Sequence, residues 1–231
     1  MKKYRLIDQL KKSMTLIVSL TENNPEWAKR IEAAGAHSIK VHLNVLHRAS
    51  KTDFKSWSEE KGRIASIPSD LSIPVGIVPG AETTASDEDM AEIEAAGFDY
   101  LDIFAHHMPP AYMSSKVMTR SVAIDYRFPL ERARILQDLG AEVIEASIVP
   151  PDEYRTPLTI RDIAFYKALI DSLGIPVFIP TQRKIRPCEV EWLRRAGASG
   201  IAIGAVVTEK TLDKVLRTTE EFRKAIDRIS E

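Results

Sequence analysis

The chain of 231 residues has one cysteine, Cys188, and almost no net charge. A single cysteine forms no disulfide within the chain and supplies no cysteine cluster for a metal. Isolated cysteines usually behave as small hydrophobic residues, so we interpret Cys188 as a packing or surface thiol. The formal net charge of −1 gives no bulk attraction to nucleic acid or to an anionic membrane. We therefore expect neither nucleic acid nor membrane as a partner.

The sequence also lacks an apolar run long enough to span a bilayer. Its first residues, MKKYRLIDQLKKSM, begin with two lysines but continue without the apolar core that a signal peptide needs. This segment predicts a short amphipathic helix instead. We therefore expect a cytoplasmic protein.

One pattern recurs four times: the end of a helix, a glycine, and a run in which alternate residues are apolar. The copies are EAAGAHSIKVHL (32–43), EAAGFDYLDIF (94–104), QDLGAEVIEAS (137–147) and RRAGASGIAIG (194–204). A second phrase recurs about half a chain apart, as LSIPVGIVP (71–79) and LGIPVFIPT (173–181). Such internal repetition is typical of a fold built from similar strand–helix units.

Eight strands are predicted to alternate with helices along the chain. The strands are predicted at 14–20, 38–43, 73–78, 99–104, 120–126, 142–148, 175–180 and 200–204. Alternating strands and helices require parallel pairing with right-handed crossovers. A doubly wound sheet shows the same alternation, but eight units and a half-chain repeat favour a closed (β/α)8 barrel, the TIM-barrel form of the α/β class. The length suits one such domain over residues 1–231.

The predicted helices have recognisable starting signals. They are predicted from Pro25 after the cap Asn24, over 53–65, after the cap Ser86, near Pro129, after Thr159, over 187–196, and in a last helix ending near Ser230. The segment after the fourth strand has two prolines and poor helical periodicity, which predicts a short or degraded helix there.

Counting from the repeated glycine predicts which side chains face the barrel centre, because strand residues alternate between the two faces. Five residues after the glycine the copies carry Lys40, Asp102, Glu145 and Ala202, and seven residues after it they carry His42, Phe104, Ser147 and Gly204. Side chains of one interior layer come from alternate strands of such a barrel. We expect Lys40, Asp102 and Glu145 to share a layer, with Asp125 of the fifth strand in the layer above or below.

This charged interior allows two interpretations. An ion-paired plug would fill the barrel, because buried charges cost several kcal/mol each unless they are paired. A catalytic acid/base cluster is the other, since residues at the carboxyl ends of barrel strands usually perform chemistry. In that interpretation Lys40 is a proton shuttle or a Schiff-base amine, with Asp102, Asp125 and Glu145 as carboxylates and His42 as a second acid/base or a metal ligand. No cofactor is expected, and a divalent metal on His42, Asp102 and Asp125 stays open.

Two segments near the C-terminus resemble the phosphate-binding end of the ribulose-phosphate-binding barrels. They are IPVFIPTQRKI (175–185) and AGASGIAIGAVVT (196–208), and the layout is similar to that of the N-acetylmannosamine-6-phosphate 2-epimerase family. The resemblance implies that the main-chain N–H groups of Gly204 and Ala205, with the Gln182–Arg183 loop, hold a phosphate. A glycine lets an oxyanion approach the main chain. A glycine retained for tight helix–strand packing is the alternative.

The chain also departs from the epimerase pattern. That pattern has lysine at the end of the third strand, where this chain has Val78–Pro79–Gly80, and glutamate after the seventh, where it has Thr181 and Gln182. We therefore expect a phosphosugar isomerase, epimerase or lyase whose proton chemistry lies on the interior cluster. The alternative is a non-catalytic regulatory barrel resembling the glycerol-responsive antiterminators. The oligomeric state stays open, with a homodimer as one alternative.

Overall fold

The computed structural model describes residues 5–230, and eight parallel strands in it close into a barrel. In chain order the strands are β1 (Thr15–Ser19), β2 (Ser38–His42), β3 (Val45–Leu46), β4 (Asp53–Phe54), β5 (Val75–Val78), β6 (Tyr100–Phe104), β7 (Thr119–Asp125), β8 (Val143–Ser147), β9 (Val177–Pro180) and β10 (Gly200–Ile203). The closed order is β1-β10-β9-β8-β7-β6-β5-β2, and β3 pairs with β4 as a separate antiparallel hairpin. The predicted (β/α)8 barrel is confirmed.

Helices surround the barrel and connect its strands. They are α1 (Leu6–Lys12), α2 (Pro25–Ala33), α3 (Trp57–Ile64), α4 (Ile67–Asp70), α5 (Asp87–Ala95), α6 (Ala133–Asp138), α7 (Ile160–Asp171), α8 (Val190–Arg195), α9 (Ala205–Thr208) and α10 (Leu212–Ser230). Only a 3-10 helix, Pro110–Ser114, follows β6, so the degraded helix expected there is present. Within residues 5–230, no helix combines the length and the apolar character needed to cross a membrane.

Side-chain caps begin several of these helices where the sequence predicts them. Asn24 Oδ1 accepts hydrogen bonds from the N–H groups of Glu26 and Trp27 at 3.0 and 3.2 Å. Ser86 Oγ accepts one from the N–H of Asp89 at 3.1 Å. Each cap satisfies backbone donors that the first turn of a helix leaves free. At the other end of α2, Gly35 adopts a φ of +101°, a left-handed exit that a side chain would disfavour.

The segment after β2 differs from its prediction. The helix expected over 53–65 covers only Trp57–Ile64, because Asp53–Phe54 forms β4 and pairs with Val45–Leu46 of β3. The ring of Phe54 is buried in this arrangement and stacks on His42. The prediction was wrong for the first turn, and the hairpin adds a wall beside the carboxyl end of β2.

An apolar layer closes the amino-terminal end of the barrel. It consists of Leu6, Leu10, Ile17, Tyr100, Val143, Phe178 and Ala202. Leu6 and Leu10 come from α1, the amphipathic helix predicted at the start of the chain. Full burial of one large apolar side chain contributes about 1.5–3 kcal/mol. The charged residues of the interior therefore rest on an apolar floor.

Gly76 makes room for this floor. A Cβ placed on Gly76 would overlap the ring of Tyr100. We expect Gly76→Ala to lower the free energy of unfolding by about 1–3 kcal/mol or more, since an overpacked core forces side chains from their rotamers. Chemical denaturation measures this change.

Gly62 provides a matched control for that substitution. It lies inside α3, and a Cβ there meets no atom within 4 Å. Gly62→Ala should raise stability by about 0.5–1 kcal/mol, because alanine favours the helix. Equal effects at the two glycines would contradict the proposed packing of Tyr100.

Candidate active site

A buried lysine bridges two buried carboxylates at the centre of the barrel. Lys40 Nζ lies 2.5 Å from Asp102 Oδ2 and 2.5 Å from Glu145 Oε2. The three residues are 5%, 2% and 6% exposed, and they come from β2, β6 and β8. The register predicted by counting from the repeated glycine therefore brings these side chains together.

Two serines complete the hydrogen bonding of the carboxylates. Ser121 Oγ donates to Asp102 Oδ1 at 2.7 Å, and Ser147 Oγ donates to Glu145 Oε1 at 2.6 Å. Both carboxylates thus have a partner on each oxygen, which fixes their orientation. Sequence reasoning placed Ser147 inward but missed Ser121, which the same alternation along β7 could have found.

The charges in this cluster perturb one another strongly. Burial disfavours the Lys40 ammonium, but attraction to Asp102 and Glu145 outweighs burial and raises the pKa of Lys40. Burial and the charge of Glu145 together raise the pKa of Asp102. For Glu145 burial is opposed by the charge and hydrogen bond of Lys40, and its pKa is lowered. These shifts favour a protonated Lys40 and an ionised Glu145 at neutral pH, and they give Asp102 the higher proton affinity of the two carboxyl groups.

A cavity of about 490 Å³ opens above the cluster at the carboxyl ends of the strands. Its size suits a small organic ligand. It is lined by eight of the nine residues that the sequence proposes for the site: Lys40, His42, Asp102, Asp125, Glu145, Gln182, Gly204 and Ala205. The ninth, Arg183, does not line it.

His42 lies on the wall of this cavity and is 2% exposed. Its Nε2 lies 3.2 Å from Ser19 Oγ, and its ring packs 4.8 Å from the Phe54 ring and 4.9 Å from the His47 ring. Its Nδ1 has no hydrogen-bond partner among residues 5–230. Burial, with smaller effects from His47 and Lys40, holds the pKa of His42 well below its usual range. The imidazole is therefore neutral near pH 7.

Asp125 lies one layer above the lysine cluster, at the end of β7. Its Oδ2 accepts a hydrogen bond from Arg127 Nε at 2.8 Å, and its Oδ1 accepts one from the Arg127 N–H at 3.1 Å. Asp125 therefore faces the cavity but is paired with Arg127 rather than with Lys40.

The expected phosphate end lies at the carboxyl ends of β9 and β10. The Gly204 N–H donates to Thr181 Oγ1 at 3.1 Å, so this amide already has a partner. Gln182 is held by the neighbouring loop: its Oε1 accepts from the Val149 N–H at 3.0 Å, and its Nε2 donates to Tyr154 Oη at 2.6 Å. These bonds hold the Gln182 side chain in the wall of the cavity.

The position of Arg183 differs from the expectation. Its Nε and Nη2 donate to Asp162 Oδ1 at 3.1 and 2.8 Å, and Nη2 also pairs with Glu153. Its Nη1 donates to Thr156 Oγ1 at 2.5 Å. The guanidinium is buried in this network and directed away from the cavity, because Asp162 at the start of α7 attracts it. Arg183 lies beyond the end of β9, where side chains no longer alternate between the two faces of the sheet. The sequence pattern therefore could not predict which way its side chain points.

The residues considered for a metal line the same cavity, but they do not form a set of metal ligands among the described residues. Among residues 5–230, no group of three or more His, Cys, Asp or Glu side chains is arranged to hold a metal ion. The Asp102 carboxylate is bound to Lys40 and Ser121, and the Asp125 carboxylate is bound to Arg127. Both carboxylates are therefore engaged with other side chains rather than directed with His42 at a common metal position.

Comparison with known proteins bears on the architecture. No family model and no curated protein sequence matches the chain. Among solved structures, thiamine phosphate pyrophosphorylase from Pyrococcus furiosus matches with a TM-score of 0.68 at 15% identity, covering 96% of this chain and 100% of that chain. Phosphoribosyl anthranilate isomerase from Thermus thermophilus matches with a TM-score of 0.67 at 15% identity, covering 94% and 100%.

A chain of tryptophan synthase from M. tuberculosis matches with a TM-score of 0.72 at 13% identity, covering 97% of this chain and 99% of that chain. Likeness at such low identity shows the fold alone. These likenesses agree with the (β/α)8 barrel architecture that the sequence predicts and that the closed strand order shows.

The Lys40 cluster makes a prediction about stability and pH. Lys40→Met leaves two buried carboxylates without their cation, and we expect the free energy of unfolding to fall by about 3–5 kcal/mol near neutral pH. In the variant, burial raises the pKa of both carboxyls above their unfolded values, so the native state binds more protons than the unfolded state. The stability of the variant should therefore rise as pH falls from about 8 to about 5.

Urea denaturation at several pH values measures this trend. The double variant Lys40→Met/Glu145→Gln is the control, since it removes one carboxylate and should recover part of the loss. A variant as stable as the wild type at every pH would show that the ion pairs contribute little.

Proposed function

We propose that this chain is an enzyme that binds a phosphorylated small molecule at the carboxyl face of the barrel. We further propose that it catalyses isomerisation, epimerisation or aldol-type chemistry on a phosphosugar. The observation that supports this most is the buried Lys40–Asp102–Glu145 cluster, which lines an open cavity instead of being sealed in a core. Strongly perturbed ionisable groups inside a cleft are typical of active sites.

Proton abstraction beside a carbonyl requires a base, an acid and a group that stabilises the enolate oxygen. Glu145, with its lowered pKa, is ionised and is the candidate base. Asp102, with its raised pKa, retains a proton at higher pH and is the candidate acid. Lys40 presents a fixed positive charge between them and would stabilise an enolate oxygen placed above it. Neutral His42 on the adjacent wall offers a second proton acceptor or donor.

The geometry favours an enolate route over a Schiff base. A Schiff base needs an unprotonated lysine with a free lone pair. Lys40 instead donates two short hydrogen bonds to carboxylates that raise its pKa. We therefore assign Lys40 an electrostatic role in the proposed reaction.

The proposed phosphate position is the Gly204–Ala205 segment at the carboxyl end of β10. Both residues line the cavity, and the absence of a side chain at Gly204 leaves its main chain closer to the cavity than a larger residue would. The names of two structural neighbours, thiamine phosphate pyrophosphorylase and phosphoribosyl anthranilate isomerase, refer to phosphorylated compounds. These names support the proposal only by analogy of fold.

Substitution of Gly204 tests this position. Gly204→Leu should abolish binding of phosphosugars, because the side chain would occupy the space given to the phosphate. Isothermal titration with a phosphosugar panel, paired with a thermal melt, measures binding and folding separately.

Gly204→Ala is the matched control for that substitution. Its Cβ would lie 3.5 Å from Ser19 Cβ, an ordinary contact, so the barrel should fold normally and retain measurable affinity. Wild-type affinity in the Leu variant would remove this segment from the proposed site.

Glu145→Gln tests the proposed base. Incubation in D2O with a phosphosugar panel should give deuterium at the carbon beside the carbonyl, and the variant should lose this exchange by roughly 100- to 10,000-fold. Glu221→Gln on the exposed face of α10 is the control for the same chemical change. Tight binding without any exchange in the wild type would instead favour the regulatory barrel.

A further inference from the structure

Two arginines at the mouth of the cavity carry charge that no nearby carboxylate balances. In the part of the chain from residue 5 to residue 230, neither Arg48 nor Arg155 has an acidic oxygen within 4.0 Å. The other lysine and arginine side chains that line the cavity are paired, Lys40 with Asp102 and Glu145 and Arg127 with Asp125, and Arg183 outside the lining is paired with Asp162 and Glu153. Among the described residues, Arg48 is therefore the arginine of the lining without a carboxylate partner, and Arg155 is a second such arginine hydrogen-bonded to lining residues.

Arg155 does not itself line the cavity, but its guanidinium is hydrogen-bonded to residues that do, beside the Gly204–Ala205 segment. Its Nη1 donates to the carbonyl oxygens of Ala205 and Val206 at 3.3 and 3.5 Å, and its Nη2 donates to that of Ala49 at 2.9 Å. All three acceptors belong to residues that line the cavity. Neutral carbonyls, two of them at long range, are weak partners for a guanidinium, which forms stronger bonds with anions.

The backbone holds Arg155 in this place. Its φ is +67°, a left-handed conformation, and its N–H donates to the Gln182 carbonyl at 2.9 Å. On either side of it, Arg183 Nη1 donates to the Glu153 carbonyl at 3.2 Å and to Thr156 Oγ1 at 2.5 Å. Arg183 thus positions the loop that carries Arg155.

Arg48 approaches the same region from the opposite loop. It lies in the turn between β3 and β4, next to Ala49, and it lines the cavity. Arg48 is exposed, so its side chain is free to turn toward a ligand. The β3–β4 turn and the loop after β8 therefore each carry one guanidinium without a carboxylate partner among the described residues, and the Arg155–Ala49 hydrogen bond joins the two loops.

We propose that Arg48 and Arg155 form the cationic half of the ligand site and bind the terminal phosphate of the substrate as a dianion. This inference rests on the proposed function and names the residues that select its substrate class, the phosphate monoesters. Two guanidinium forks match the charge and the oxygens of a monoester dianion better than those of a carboxylate. On binding, Arg155 exchanges its carbonyl partners for phosphate oxygens.

Titration calorimetry with ribose 5-phosphate and with inorganic phosphate tests the pair, and ribose is the unphosphorylated reference. Arg48→Gln and Arg155→Gln should each weaken phosphate binding about tenfold or more, the loss of one charge-assisted interaction. The double variant should also lose most of the salt dependence of binding, because screening acts on the charges that were removed. Arg155→Gly is a second variant for this position, because glycine adopts the left-handed backbone without strain. It should lose binding as Arg155→Gln does while the protein remains folded.

Arg194→Gln is the control of equal charge change, in the last turn of α8. It should leave the affinity for ribose 5-phosphate unchanged. If the double variant keeps wild-type affinity and salt dependence while Gly204→Leu abolishes binding, the two-arginine site is wrong and the proposed function stands. If the wild type binds neither phosphate probe, or binds ribose as well as ribose 5-phosphate, both are wrong.

Discussion

The two salt bridges of Lys40 are the constraint on which the rest of the interior depends. Burying three charged groups costs several kcal/mol for each one, and only close pairing with complete hydrogen bonding offsets that cost. Three strands must therefore bring their side chains to the same height, and serines from β7 and β8 must supply the remaining bonds. The apolar layer beneath, with the Phe178 ring 5.5 Å from Lys40 Nζ, excludes water from one side of the cluster. The cavity above leaves the other side accessible to a ligand.

The sequence predicted the barrel and the central cluster because both follow from strict repetition. The repeated glycine marks the same structural point in each unit, so one count from it gives the register of three strands at once. The hairpin of β3 and β4 was missed, since strands of two residues are too short to show a period. The orientation of the Arg183 side chain could not be predicted either, because it depends on an ion pair with Asp162, 21 positions earlier in the chain.

Charge is distributed unevenly around the cavity, so its two sides would interact differently with a ligand. The Lys40 cluster at the bottom of the cavity has its charges paired, whereas Arg155, beside the end of β10, has no carboxylate partner among the described residues. In the closed strand order, β10 is separated from β6 by three strands on one side, so the Asp102 strand lies across the barrel from the proposed anion end. A ligand anchored at that end would extend over Lys40. Anchoring and chemistry would then be assigned to different loops and strands of one fold.

Helix α1 affects the pKa values of the Lys40 cluster without touching the cavity. Its two buried leucines close the end of the barrel opposite the cavity, and the Leu6 N–H donates a hydrogen bond to Asp99 Oδ2 at 2.8 Å. The seal keeps the medium beneath Lys40 poorly polarisable, and charge interactions strengthen as the local dielectric constant falls. If α1 packed less tightly, water would enter beneath Lys40 and the pKa shifts of the cluster would become smaller. The pKa values of the cluster thus depend partly on a helix that lies at the opposite end of the barrel from the cavity.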